Sequence, residues 1–190
     1  MAKRTGTVLH DDGMEAGDLS GFTGSSGDTA VLRGFSNNAV YGGRFTNDGN
    51  AYTNLSPDQR RVRVSLWHCL RYAGSNAVVE DKITVFRFFF TNIPDTVCSL
   101  YATYKGGVGD NARFLYGIRY IDEVPDEHFV DTTGIELHRW HYVYLDYYAG
   151  SGGEIRLWVD NVLVIELTKL DNNSRLVDRI YWSAWDDEFA

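Results

Sequence analysis

Tyr142, Tyr144, Tyr148, Trp158 and Trp182 are the side chains whose type and placement in this 190-residue chain point most directly to chemistry. They fall in strand-like runs, where flat rings can stack on the C–H face of a sugar while a nearby Arg or Asp binds its hydroxyls. Tyr142, Tyr144, Trp158, Trp182 and Arg87 are therefore the candidate carbohydrate-binding residues. The competing use of the same rings is core packing, because aromatics contribute heavily to burial.

Other constellations exclude more than they offer. The five histidines are His10, His68, His128, His138 and His141. His138 and His141 stand three apart in a strand-like run, so they face opposite sides and cannot clasp one metal. The His-Glu-x-x-His and Gly-x-Ser-x-Gly patterns are missing from the sequence. Lys105-Gly106-Gly107-Val108-Gly109-Asp110 is rich in glycine but is followed by no helix, so it reads as a hairpin loop and not a phosphate cradle. Glu123-Val124-Pro125-Asp126-Glu127 is acidic, but Pro125 makes it a loop. Asp186-Asp187-Glu188 is acidic, but strand neighbours point to opposite faces.

The elements that must position these groups read as strands. Period-two alternation recurs in Arg61–Leu66, Val97–Tyr104 and Arg113–Ile121. Ile83–Phe90 is apolar on both faces, which predicts a central strand covered on each side, within this domain or by a partner. His138–Tyr148, Glu154–Val159 and Val162–Leu167 follow as strands, with Ala149–Gly153 as a loop and Asp160-Asn161 as a left-handed two-residue turn. Arg179–Trp185 is the last strand, residues 11–30 and 123–136 are long loops, and Pro57, Pro94 and Pro125 sit in loops. Many short strands with turn signals between them predict an all-β, two-sheet antiparallel jelly-roll sandwich, a single domain over residues 1–190.

Composition sets the boundaries. There are 18 Lys+Arg against 26 Asp+Glu, a net charge of −8, and hydrophobic residues make up 44%. Such a chain has enough apolar side chain for one core and lacks the cationic field that nucleic-acid binding needs. No window of about 18 apolar residues predicts a membrane helix. The start, Met-Ala-Lys-Arg-Thr-Gly-Thr, leads into no apolar stretch of the kind a signal peptide carries. Two cysteines, Cys69 and Cys98, are too few for a disulfide scaffold and read as small core residues, with a bridge between them left open.

The segment Trp140–Leu167 resembles the "W-h-x-v … G-x-I-x-L-w-V-D-x-x-L-V" signature of concanavalin A-like lectin/glucanase domains, with Asn161 where the family usually has Gly. Val85–Phe90 resembles the aromatic strand with a central Arg of the same family. Asp12–Phe22 resembles the opening of many bacterial and phage carbohydrate-module jelly rolls, with Met14 and Phe22 in place of the usual aromatic and Trp. The resemblance implies a structural Ca²⁺ held by Asp12 and Glu15 of the opening segment and Asp187 of the final one. It also implies where catalysis would sit. Retaining glucanases of this fold carry Glu-x-Asp-x-x-Glu on one strand, a spacing this chain does not have. Jelly-roll polysaccharide lyases use a Tyr/His/Arg/Gln group, parts of which Tyr142, Tyr144, Arg87 and Arg119 would supply.

The expectation is a non-catalytic, lectin-like jelly roll with no signal peptide, placed at a phage virion surface or outside the cell as a capsid-decoration or tail protein. Its expected partners are copies of itself, other virion proteins and surface glycans, without nucleic acid or membrane. The alternative is a carbohydrate-binding module of a polysaccharide-degrading system, followed by a polysaccharide lyase or hydrolase.

Overall fold

A computed structural model describes residues 22–33, 41–70, 79–80, 82–92, 95–107, 113–123 and 127–186. Eleven strands follow one another: β1 (Gly24–Arg33), β2 (Tyr41–Gln59), β3 (Arg61–His68), β4 (Lys82–Phe90), β5 (Asp95–Tyr104), β6 (Phe114–Ile121), β7 (Glu127–Ile135), β8 (His141–Tyr148), β9 (Ser151–Val159), β10 (Val162–Asp171) and β11 (Val177–Asp186). They form a seven-stranded sheet in the order β1-β2-β11-β4-β5-β6-β7 and a four-stranded sheet in the order β10-β9-β8-β3. All pairings are antiparallel, and no helix occurs among the described residues. The protein is an all-β, two-sheet antiparallel jelly-roll sandwich of the concanavalin A-like kind.

Alternation decides which side chains meet between the sheets. On the seven-stranded sheet, register aligns Ile180, Phe88, Cys98 and Tyr120 in one inward row and Trp182, Phe86, Leu100 and Ile118 in the next. On the four-stranded sheet, Val62, Tyr147, Ile155 and Leu167 align, as do Val64, Leu145, Leu157 and Ile165. These rows form one core cluster with partly buried neighbours. β4 lies in the middle of its sheet, with Phe86, Phe88 and Phe90 buried in the core, whereas Arg87 and Phe89 on the outward face are only half-buried, so the expected cover on both faces is incomplete within the described residues.

Four sequence expectations need correction. Residues 123–136 are not one long loop, because β7 occupies Glu127–Ile135 as an edge strand. An edge strand pairs on one side only, so its Asp131-Thr132-Thr133 stretch lacks the apolar density that marks a strand. β1 likewise begins at Gly24 inside the expected 11–30 loop, and Ser151–Gly153 opens β9 instead of closing a loop. Pro57 lies within β2, not in a loop. The β2–β11 register shifts between Val177 and Arg179 beside it, so the missing N–H falls at an irregularity and not in the regular ladder. Cys69 and Cys98 are both free thiols, with Cys98 fully buried in the inward row.

Candidate functional site

The faces pointing away from the core carry the chemistry. On the seven-stranded sheet, the register sets Tyr52 (β2), Tyr181 (β11), Arg87 (β4), Ser99 (β5), Arg119 (β6) and Phe129 (β7) side by side across six strands. Asn54, Arg179 and Phe89 lie beside that row, again cross-strand partners. The Arg87 guanidinium sits over the Tyr181 ring at 4.6 Å, and that of Arg179 over Tyr52 at 5.0 Å and Tyr181 at 5.7 Å. Stacking of this kind is attractive and holds the planar group in one orientation.

Hydrogen bonds fix the cluster further. Arg179 Nη1 donates to Tyr181 Oη at 2.9 Å, and its Nε donates to Asn54 Oδ1 at 2.6 Å. The bond to Tyr181, followed by nearby acidic groups, holds the Arg179 guanidinium above its ordinary range, so its charge is permanent. Phe89 closes the Tyr181 ring edge-on at 5.9 Å. Arg87 and Arg119 are half-buried, while Ser99 between them is fully buried and forms a low floor.

The other half of this face is a scaffold. Tyr101 on β5 is fully buried and donates to Asp131 Oδ1 at 3.0 Å. Its ring crosses β6 directly above Gly117, where an added Cβ would lie 2.4 Å from the ring. Glycine at 117 is what lets the phenol reach β7. Burial, reinforced by the Asp131 carboxylate, pushes the Tyr101 phenol far up, so it stays protonated. Lys105 Nζ joins Asp131 at 3.1 Å to Glu80 at 2.6 Å, and Lys82 Nζ lies 5.1 Å from the Phe129 ring.

The outer face of the four-stranded sheet has a different composition. Trp67 and Tyr142 are cross-strand partners with ring centroids 5.3 Å apart. The next row is Ser65, Tyr144, Trp158 and Leu163, with Tyr144 and Trp158 at 4.9 Å. Two residues further along come Arg63, Asp146, Arg156 and Glu166. Arg61 meets Asp146 at 2.7 Å and 2.9 Å, Arg63 meets it at 3.2 Å, and Arg156 pairs with Glu154 at 2.7 Å and Glu166 at 2.9 Å.

A third polar group lies at one end of the sandwich. His68 Nδ1 is 2.6 Å from Tyr116 Oη, across the two sheets. His141, the cross-strand partner of His68, has Nδ1 at 2.8 Å from Asp160 Oδ2 and Nε2 at 3.1 Å from the Glu136 carbonyl. Among the described residues no group of three or more His, Cys, Asp and Glu is arranged to hold a metal ion.

The predicted sugar-binding residues therefore divide. Tyr142, Tyr144 and Trp158 share the outer face of the four-stranded sheet, with Trp67 as an unpredicted fourth ring. Arg87 stands on the opposite side of the sandwich. Trp182 belongs to neither face: it aligns with Phe86 in the inward row, packs on the core and meets Phe22 edge-on at 5.2 Å. Tyr144 is only 7% exposed, so much of its ring serves packing. Asp12, Glu15 and Asp187, the expected Ca²⁺ ligands, lie outside the described residues. Tyr52, Arg179 and Tyr181 were not singled out from the sequence. Arg179-Ile180-Tyr181 shows the right alternation, but Tyr52 lies more than a hundred residues away and joins it only through register.

No protein-family model and no curated protein sequence matches the chain. Solved structures do. The endo-β-1,4-glucuronan lyase of the fungus Trichoderma reesei aligns with a TM-score of 0.53 at 10% identity over 91% of this chain and 83% of the lyase. The binding domain of botulinum neurotoxin serotype G aligns with a TM-score of 0.53 at 11% identity, over 86% of this chain and 39% of that one. The alginate lyase of Alteromonas sp. 272 aligns with a TM-score of 0.45 at 7% identity over 72% of this chain, which spans 62% of the length of the lyase. At such identities the likeness establishes the fold.

One expectation falls with these comparisons. The chain was expected to be non-catalytic because it lacks the glucanase Glu-x-Asp-x-x-Glu strand. The glucuronan lyase, an enzyme, shares this fold, so the missing glucanase strand does not make the chain non-catalytic. Lacking that motif rules out one reaction of the fold, not catalysis.

Proposed function

We propose that the protein binds an acidic polysaccharide along the outer face of its seven-stranded sheet. The row Tyr52–Tyr181–Arg87–Ser99–Arg119 carries the reading, because it sets guanidinium groups beside aromatic faces on a flat, strand-built surface. An arginine fork matches a carboxylate with two parallel hydrogen bonds, and an adjacent ring supports the C–H face of the sugar. The chain is acidic overall, so capture of a polyanion has to depend on these localised arginines. The Trichoderma reesei neighbour is named for glucuronan, a polymer of this chemical class.

A second reading is favoured by the contact of Arg179 with Tyr181. Cleavage of a uronic-acid chain by elimination removes the proton from the carbon next to the carboxylate and breaks the neighbouring C4–O bond. It leaves one double bond and consumes no water. An arginine on this row would hold the carboxylate, and Tyr181, whose oxygen accepts from a guanidinium, would act as phenolate to take the C5 proton and pass it to the departing O4.

Both readings are tested by presenting polyglucuronate, alginate and polygalacturonate to the protein. Native gels cast with each polymer should retard the wild type, and Arg87→Ala or Arg179→Ala should weaken retention by about tenfold, the loss of one charge-assisted bond. Equal retention of variants and wild type, or none with any polymer, overturns the binding site. Ultraviolet absorbance of unsaturated product that Tyr181→Phe abolishes supports cleavage; bound polymer without such a product overturns cleavage alone.

A further inference from the structure

We infer that the outer face of the four-stranded sheet is a second glycan site, suited to a neutral sugar chain. It goes beyond the acidic-polysaccharide reading, since it uses the other sheet and a ligand of different charge.

The site has two parts. Trp67 with Tyr142, and Tyr144 with Trp158 and Leu163, form two adjacent apolar rows borne by β3, β8, β9 and β10. Trp67 is 40% exposed and Leu163 42%, so the strip reaches solvent. The rows are two residues apart along β8, about 7 Å at the usual strand rise, and are carried on paired strands, not loops. The second part is the ladder of Arg61, Arg63 and Arg156 with Asp146, Glu154 and Glu166, immediately beside the rings.

Charge selects the ligand. Three guanidinium groups face three carboxylates, so the ladder is balanced on a chain whose net charge is −8. A charged ligand would have to break those pairs, whereas sugar hydroxyls donate to the carboxylates and accept from the guanidiniums without adding charge. A protein partner fits less well. A stable interface needs about 800 Å² on each side, far more than a few rings provide, and would extend over the ladder and desolvate it. A pyranose chain uses the rings for its C–H faces and leaves the ladder's ion pairs intact.

The experiment is native affinity electrophoresis in galactomannan, xyloglucan and β-1,3-glucan, with analytical ultracentrifugation of the same samples. At least one polymer should retard the wild type, with retention unchanged by added NaCl and by Arg87→Ala. Trp67→Ala and Trp158→Ala should weaken retention at least tenfold, and Trp67→Phe should keep most of it. Circular dichroism melts show that each variant is folded. Retention by none of the three polymers, retention that the two substitutions leave intact, or retention abolished by salt overturns the site. So does a wild-type dimer that Trp67→Ala dissociates, which would make the face a contact between copies. Because Arg87→Ala belongs to the other sheet, failure here leaves the acidic-polysaccharide reading standing, and the reverse.

Discussion

His68 sets an acid limit on the fold. Its Nδ1 faces the Tyr116 phenol, which burial keeps protonated and therefore donating, so the imidazole is held neutral. Burial, with His141 adding to it, lowers His68 from its ordinary 6.5 to about 4. The unfolded chain thus binds a proton that the native state refuses between those values, and stability rises with pH across that window. Acidification from pH 6.5 toward 4 should remove on the order of 3 kcal/mol from this residue alone. Urea melts at pH 6.5 and 4.5 should show a smaller loss in His68→Gln than in wild type; equal losses would contradict the account. The carboxylates held low by their partners, Glu123 by Ser174 and Asp160 by His141 and the Tyr142 N–H against the cost of burial, lose stability at lower pH still. Nothing local in the sequence marks His68, since its partners come from β6 and β8.

At the scale of elements, the β9–β10 hairpin was legible because its signal is local. Asp160 and Asn161 have φ of 50° and 69°, the left-handed pair that a two-residue turn requires. Asp160 also ties the turn down, its Oδ1 accepting from the Tyr142 N–H at 2.9 Å. Asn161→Gly should keep or slightly raise stability, while Asn161→Val should cost about 1–2 kcal/mol, the penalty of a branched residue in that region. Thermal melts of the two variants check the order, and a reversed order rejects the turn assignment. β7 and the polar part of β2 were not legible for a related reason. Their apolar pattern is thin, and their pairing is decided by neighbours far away in sequence, β6 for one and β1 and β11 for the other.

At the scale of the whole molecule, the two sheets are held together by large rings meeting across the core. Phe88 from the seven-stranded sheet contacts Tyr147 from the four-stranded sheet at 5.8 Å, and both are fully buried. Phe88→Ala should destabilise by about 3–5 kcal/mol, from lost burial plus the cavity left behind. Denaturant melts measure this, and a cost below about 1 kcal/mol would mean that the sheets do not pack through this ring. Tyr147 also donates from its phenol to the Arg175 carbonyl at 2.7 Å, which satisfies its polar end inside the core. By itself the sequence determined the class of fold, the central two-faced strand, the turn at Asp160-Asn161 and the aromatic wealth, because period-two alternation and turn residues act over a few neighbours. Only the tertiary structure decided which aromatics work together. It sent Trp182 inward, left Tyr142, Tyr144 and Trp158 on one outer face with Trp67, and assembled Tyr52, Arg87, Arg179 and Tyr181 on the other. The physical reason is register: each side chain alternates faces along its own strand, but its neighbours are set by hydrogen-bonded pairing with strands from elsewhere in the chain.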